Sequence, residues 1–153
     1  MAGVPDVAVS IFDLVGEGLD DEEMFLPGAQ TFPYGAHAAV VEVSLETGEV
    51  TILKLVAVDD CGVVLNPMIV EGQVEGSLTQ GLGQALLEEV RYDSGGQPLT
   101  ATMMDYLLPR AADFPRAITD RKETPAPSNP LGAKGSGEAG CIGGIAAVAN
   151  AGI

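Results

Sequence analysis

The sequence predicts an α+β fold in which a β-hairpin and one or two further strands pack against two helices rich in glycine and alanine. Two runs rich in β-branched residues, 40–45 and 50–58, flank a turn at 46–49 whose glycine suits a positive φ, and this pattern is typical of a hairpin. An apolar stripe with four-residue spacing predicts one helix over 68–90. The alanine-rich apolar run 141–153 predicts the second helix.

Composition restricts the class of protein. The chain has 153 residues, 46% of them hydrophobic, which is enough for one domain with a core and too apolar for a disordered chain. Its formal net charge of −15 argues against binding to nucleic acid or to an anionic membrane surface. No run approaches the roughly 20 apolar residues that span a bilayer, and the N-terminus lacks the basic start of a signal peptide. A cytoplasmic location without membrane insertion is therefore expected.

The residues that could bind a metal are dispersed along the chain. The two cysteines, Cys61 and Cys141, have no second cysteine at C-x-x-C spacing, and His37 is the only histidine. The sequence therefore predicts neither a disulfide framework nor a metal site formed by this chain alone. Because His37 has no visible partner in the sequence, a structural role in capping or packing is favoured for it.

The other segments show less regular patterns. Residues 7–12 suit either one short strand or a linker, and residues 16–30 are acidic and punctuated by glycine and proline, as in a surface loop. A further strand is predicted over 100–108, ending at Pro109, and Ile118 suits a second short strand.

The first predicted helix has two different faces. Its apolar stripe consists of Val70, Val74, Leu78, Leu82 and Leu86. Gln73, Gln80 and Gln84 lie together on another side of the helix. Four glycines interrupt this helix, and each costs about 1 kcal/mol relative to alanine unless something packs close to the backbone. That partner is either another helix or strand, or a flat cofactor that the glutamine amides reach.

A glycine-rich loop before the second helix carries the most chemistry. Pro127 and Pro130 hold its approach extended, and the glycines that follow leave the backbone open to a ligand. Lys134 and Glu138 lie among these glycines, and Glu138 falls near the N-terminal end of the helix. Free N–H groups, the positive end of a helix dipole, a cation and a carboxylate in one turn suit an anionic ligand and a positioned base.

Two other interpretations of this loop are open on the residues alone. The first is an ordinary glycine-rich turn with a solvated lysine and a glutamate that favours the helix dipole. The second is a nucleotide-binding loop, which is weakly supported. Gly135 follows Lys134 where the phosphate-binding pattern needs Ser or Thr, and the dinucleotide pattern would follow a strand rather than prolines.

Three motifs occur in order along the chain. They are Val58-Asp-Asp-Cys-Gly-Val-Val-Leu-Asn-Pro67, Gly72-Gln-Val-Glu-Gly-Ser-Leu-Thr-Gln-Gly-Leu-Gly83 and Gly132-Ala-Lys-Gly-Ser-Gly-Glu-Ala-Gly140. Together they resemble the large subunit of the molybdenum hydroxylases, the family of xanthine dehydrogenase, aldehyde oxidoreductase and aerobic carbon monoxide dehydrogenase. The resemblance runs from about Gly35 to the last residue. The continuation Cys141-Ile-Gly-Gly144 looks most like the carbon monoxide dehydrogenase branch.

The resemblance implies a fragment of a molybdopterin-binding domain and a role for several residues. Glu138 would be the general base in the oxidation of a small substrate with water as the oxygen source. Gln73 and Gln80 would lie beside the molybdopterin, which in this branch has the cytosine dinucleotide form and carries molybdenum. The backbone donors near the cofactor would come from Lys134, Gly135, Ser136 and Gly137.

The resemblance also implies a domain organisation and partners. Residues 1–34 would form an N-terminal strand and loop segment, and residues 35–153 the C-terminal part of the molybdopterin-binding domain, truncated at both ends relative to the family. The partners would be the remainder of the large subunit, iron–sulfur and FAD subunits, and a substrate that is carbon monoxide, an aldehyde or an N-heterocycle. The isolated chain is expected to hold no cofactor and to be inactive. A competing hypothesis is a non-catalytic structural or interaction domain, which the lack of a metal-ligand set favours.

Overall fold

The computed structural model of the protein describes residues 24–26 and 28–152. The short strand or linker expected at residues 7–12 lies outside the described residues. The elements are β1 (Tyr34–Val43), β2 (Val50–Asp60), α1 (Pro67–Leu86), β3 (Ile118–Lys122) and α2 (Ala139–Ala151). Within the described ranges, no helix has the length and apolar character needed to cross a membrane.

The three strands form one mixed sheet in the order β1-β2-β3. The predicted hairpin is confirmed: β1 and β2 pair antiparallel, with Tyr34 opposite Asp60 and Val43 opposite Val50. Gly48, in the connecting turn, has φ +74, which explains the glycine at this position. β3 pairs parallel to β2 through residues that include the predicted Ile118. A parallel neighbour requires a crossover, and α1 lies within it.

The helices pack on one face of the sheet, and the core lies between the two layers. The buried residues of this core are Ile52, Leu55, Ala57, Val74, Leu78, Leu82 and Val148. The apolar stripe predicted for α1 is confirmed, because its three central members are buried and its two outer members are half-buried. In the C-terminal half of β2, every second side chain faces the helices, namely Leu55, Ala57 and Asp59. Asp60 therefore lies on the opposite face of the sheet.

The predicted strand at residues 100–108 is wrong. Thr102 organises turns there instead: its hydroxyl donates to the Asp105 carboxylate at 2.9 Å, and its carbonyl accepts from the Tyr106 N–H at 2.9 Å. Local side-chain hydrogen bonds of this kind compete with strand pairing. The helix predicted over 68–90 ends earlier, because the N–H groups of Leu87 and Glu88 both turn back to the Gly83 carbonyl.

Candidate functional site

The first half of the glycine-rich loop is fastened to the chain that precedes it. Gly132 has φ +66, and its carbonyl accepts hydrogen bonds from the N–H groups of Val63 (3.0 Å) and Ala126 (2.9 Å). The Asn129 side chain bonds both backbone groups of Ala133, donating to its carbonyl at 2.9 Å and accepting from its N–H at 3.2 Å. The loop therefore starts from a rigid base beside the end of β2.

Lys134 continues this attachment with both its backbone and its side chain. Its N–H donates to the Cys61 carbonyl at 2.8 Å, and its Nζ lies 3.1 Å from Oδ1 of Asp60. The same Nζ lies 4.9 Å from the ring centroid of Tyr34. The Lys134 side chain is 9% exposed and that of Asp60 is 1% exposed. This corrects the expectation that Lys134 offers a free backbone donor or a free cation, because both groups are used within the chain.

Asp60 is the acceptor at the centre of this attachment. Its Oδ1 accepts from the N–H groups of Gly62 (2.9 Å) and Thr124 (3.2 Å) in addition to the Lys134 ammonium. Burial alone would raise the pKa of Asp60, but the hydrogen bonds from Thr124, Gly62 and Lys134 together outweigh burial and hold this pKa well below its ordinary value. The carboxylate is therefore ionised at neutral pH and ties three chain segments together.

The second half of the loop is fastened to α1. The Gly140 N–H donates to Oγ of Ser77 at 2.9 Å, and the Ser77 hydroxyl donates to the Val74 carbonyl at 3.2 Å. A Cβ on Gly140 would lie 2.6 Å from both the Val74 carbonyl and the Leu78 nitrogen, so only glycine allows this approach of the two helices. The position of α2 relative to α1 is thereby fixed at its first turn.

Between these two attachments, four consecutive backbone donors of the loop are unpaired. The N–H groups of Gly135, Ser136, Gly137 and Glu138 have no acceptor among residues 24–26 and 28–152. The φ angles of Gly135 and Gly137 are not positive, and a Cβ on Gly135 would meet no atom within 4 Å. Neither conformation nor packing within the described chain therefore requires these glycines.

The predicted glutamines lie on the exposed side of α1, and Gln73 approaches this loop. Gln73, Gln80 and Gln84 are all exposed, as expected from their shared face. The Nε2 of Gln73 lies 4.0 Å from the position that a Cβ would take on Gly137, so the loop and the amide face of α1 meet there. Gln80 is seven residues further along the helix, about 10 Å from Gln73 along the axis.

The four glycines of α1 divide into two pairs. A Cβ on Gly81 would lie 3.1 Å from the Cys141 Cα, and one on Gly83 would lie 2.9 Å from Pro109, so packing explains these two. Gly72 and Gly76 would meet nothing within 4 Å. Packing within the chain therefore accounts for Gly81 and Gly83, while the open pair lies near Gln73.

Glu138 is the N-cap residue of α2. Its carbonyl accepts from the Ile142 N–H at 3.3 Å, while its side chain makes no capping hydrogen bond and is exposed. The carboxylate is thus available beside the N-terminal end of the helix and next to the four unpaired N–H groups. A carboxylate in this position can accept a proton from a ligand held by those groups.

His37 has a partner that the sequence analysis missed. Its Nε2 lies 3.0 Å from Oδ1 of Asp59, with the two side chains 4% and 6% exposed. The pair lies beneath α2, where Gly143 contacts the imidazole and a Cβ would collide with it. The register of the hairpin indicates this pairing. Asp59 lies opposite Gly35 on β1, and His37, two residues further along β1, is therefore its diagonal neighbour.

Side chains of the described ranges supply no group of three or more His, Cys, Asp or Glu residues suited to a metal. Burial, followed by the charge of the neighbouring Asp60, raises the pKa of the Cys61 thiol, which is therefore protonated at neutral pH. The thiol of Cys141 donates to Oε1 of Gln84, with Sγ and Oε1 3.8 Å apart.

Comparison with known proteins identifies the family of this α+β fold. The family model for the molybdopterin cofactor-binding domain matches residues 4–115, and the chain belongs to this family. The fold class and the resemblance read from the three motifs are both confirmed.

Two curated relatives and one solved structure show how similar the chain is to known proteins. The chain is 41% identical over 134 residues to the carbon monoxide dehydrogenase large chain of Afipia carboxidovorans, covering 88% of this chain and 17% of that protein. It is 39% identical over 137 residues to the 6-hydroxypseudooxynicotine dehydrogenase complex subunit gamma of Paenarthrobacter nicotinovorans, with the same coverage of 88% and 17%. The crystal structure of the carbon monoxide reduced Cu,Mo-CO dehydrogenase aligns with a TM-score of 0.77 and 41% identity, over 81% of this chain and 16% of that one. The chain therefore spans about a sixth of the length of these relatives.

Proposed function

We propose that this chain is the C-terminal part of the molybdopterin-binding region of a molybdenum hydroxylase large subunit. The enzyme would oxidise a small substrate with water as the oxygen source. The observation that carries the proposal is the row of four unpaired N–H groups at residues 135–138, which lies beside the exposed Gln73. Family membership and the similarity to a carbon monoxide dehydrogenase large chain support it.

The residues present fit a molybdopterin cofactor. A pterin with a phosphate tail is flat and rich in oxygen acceptors, so it suits consecutive backbone donors and an amide. Gly135, Ser136 and Gly137 would donate N–H groups to it, while Gln73 and Gln80 would contact it from α1. The open faces of Gly72 and Gly76 leave room for a planar group against the helix backbone. We extend the proposal to the cytosine dinucleotide form of the cofactor.

In the proposed reaction, Glu138 is the general base. When bound, the molybdenum cofactor accepts the electron pair that the substrate loses. The Glu138 carboxylate takes the proton released as oxygen from water is transferred to the substrate. Its exposure and its lack of any hydrogen-bond partner within the described chain leave both oxygens free for this. Lys134 takes no part in proton transfer, because its ammonium is paired with Asp60.

The proposed partners follow from the relatives. One relative is a large chain and another is a subunit of a dehydrogenase complex, which supports assembly with further subunits. We propose the remainder of the large subunit, an iron–sulfur subunit and an FAD subunit, in the cytoplasm. Residues 35–153 would form the cofactor-binding part, and the chain alone would be inactive. Carbon monoxide, an aldehyde and an N-heterocycle are all compatible substrates.

Glu138→Gln in the assembled enzyme tests the role of the base. The variant keeps the size of the side chain and removes the basic oxygen, so turnover should fall by about 10² to 10⁴-fold while molybdenum and pterin content is retained. Glu46→Gln, at an exposed glutamate in the hairpin turn, is the matched control and should leave turnover unchanged. Near-normal turnover in Glu138→Gln would remove the general-base assignment.

A non-catalytic structural or interaction domain is the second candidate. Large apolar side chains outside the core favour it, since Met104 is 91%, Ile142 73% and Leu65 65% exposed. If this candidate were correct, the assembled complex would form without any molybdenum or pterin bound at this loop.

A further inference from the structure

We propose that Asp60 and Lys134 are positioning residues that set the path of the loop and thereby the place of Glu138. This inference rests on the proposed function, because it explains how the base is held. Neither residue is required to touch the substrate or the cofactor through its side chain. Their ion pair, with a 3.1 Å separation between Nζ and Oδ1, acts through the backbone that Lys134 begins.

Two attachments to other parts of the chain flank the unpaired donors of the loop. Lys134 is bonded to Cys61 and Asp60 at one end, and Gly140 is bonded to Ser77 at the other. Of the five residues between them, Ala139 donates its N–H to the Ser136 carbonyl at 3.4 Å, and the N–H groups of residues 135–138 have no acceptor in the part of the chain that the structure describes. The direction in which Glu138 points therefore depends on where these two ends are fixed.

The Asp60 end is built to be rigid. The carboxylate accepts donors from three separate segments, namely Gly62 after β2, Thr124 after β3 and Lys134 in the loop. The ring of Tyr34 covers the Lys134 ammonium, whose side chain is only 9% exposed. A charge pair excluded from water exchanges partners rarely, because either charge left alone would carry the full desolvation penalty.

A purely structural ion pair would behave differently from a positioning one. Removing one charge destabilises the fold in either case, because it leaves the other charge buried. Removing both charges relieves that penalty, since the side-chain amide introduced by Asp60→Asn would still accept from Gly62 and Thr124. If the pair positions the loop, the double variant regains stability but the loop stays mobile. If the pair is only structural, stability and loop order recover together.

The test is made on the 153-residue chain with Lys134→Met, Asp60→Asn and the double variant Asp60→Asn/Lys134→Met. Lys122→Met, at an exposed lysine that ends β3, is the matched control. Backbone amide relaxation is measured at Gly135, Gly137 and Glu138, and hydrogen exchange at the Lys134 amide. In the single and double variants, order parameters in the loop should fall from about 0.85 to below about 0.6. Exchange at Lys134 should accelerate about tenfold or more after correction for global stability.

The result that overturns the inference is a double variant whose loop is as ordered as that of Lys122→Met. Should Lys134→Met fail to fold, the double variant alone decides, because it contains no unpaired buried charge. In the assembled enzyme, turnover per bound molybdenum should fall at least tenfold in the double variant with little change in KM, whereas a structural role would lower only the yield of folded enzyme. Absence of molybdenum from the assembled wild type would refute the proposed function and leave the loop measurement valid.

Discussion

Replacing the two open glycines of α1 should stabilise the chain while harming its function. A Cβ on Gly72 or Gly76 meets no atom within 4 Å, and neither residue has a positive φ. Alanine in a helix interior is favoured over glycine by about 1 kcal/mol, so Gly72→Ala/Gly76→Ala should gain about 2 kcal/mol. For a domain of this size that corresponds to a rise in Tm of about 4–8 °C.

The assay is thermal unfolding of the purified chain, followed by far-ultraviolet circular dichroism. Gly81→Ala is the control within the same helix. Its Cβ would lie 3.1 Å from the Cys141 Cα and carbonyl oxygen, so overpacking should destabilise the chain by about 1–3 kcal/mol. In the assembled enzyme, the two methyl groups of Gly72→Ala/Gly76→Ala should obstruct the cofactor face and lower molybdenum content severalfold. A variant that is more stable and binds the cofactor fully would refute the assignment of this face, and an unchanged or lower Tm would refute the packing argument.

Two further predictions concern the attachments of the loop. Gly140→Ala should destabilise the chain by about 1–3 kcal/mol in urea unfolding, because its Cβ would lie 2.6 Å from the α1 backbone. Unchanged stability would show that the two helices can move apart without cost. The hydrogen bonds of Asp60 outweigh burial, which would raise its pKa, and hold this pKa below the value of about 3.9 in an unfolded chain. The stability that Asp60 contributes is therefore present above about pH 4–5 and lost as pH falls below it, so Asp60→Asn should lose less stability than the wild type between about pH 5 and 2. Equal pH dependence of the two proteins would contradict this.

Local patterns in the sequence were sufficient for the main elements. The hairpin around Gly48 and the stripe of α1 depend on periods of two and nearly four residues, which reflect burial on one face. The strand predicted at residues 100–108 was wrong, because the hydrogen bonds of Thr102 stabilise turns there. Hydrophobic periodicity carries no information about such local side-chain hydrogen bonds.

The sequence was sufficient to locate the candidate site, but it did not show which side chains pair with each other there. The glycine-rich loop and Glu138 were found from composition and resemblance, since both are contiguous in the chain. The pairing of Lys134 with Asp60 spans 74 residues and that of His37 with Asp59 spans 22, and each depends on how the sheet and loop come together. A lysine among glycines indicates a cation, but only the fold shows that its charge is already neutralised.

Molybdenum and pterin analysis tests the central claim most directly. The chain would be purified alone and then with the gene product encoded immediately upstream, and both metal and pterin would be measured per chain. The chain alone should contain neither, and the complex should contain about one of each, with both reduced severalfold in Gly72→Ala/Gly76→Ala. A stable complex that contains no molybdenum or pterin would contradict the account, and the loop at residues 132–138 would then be a structural turn.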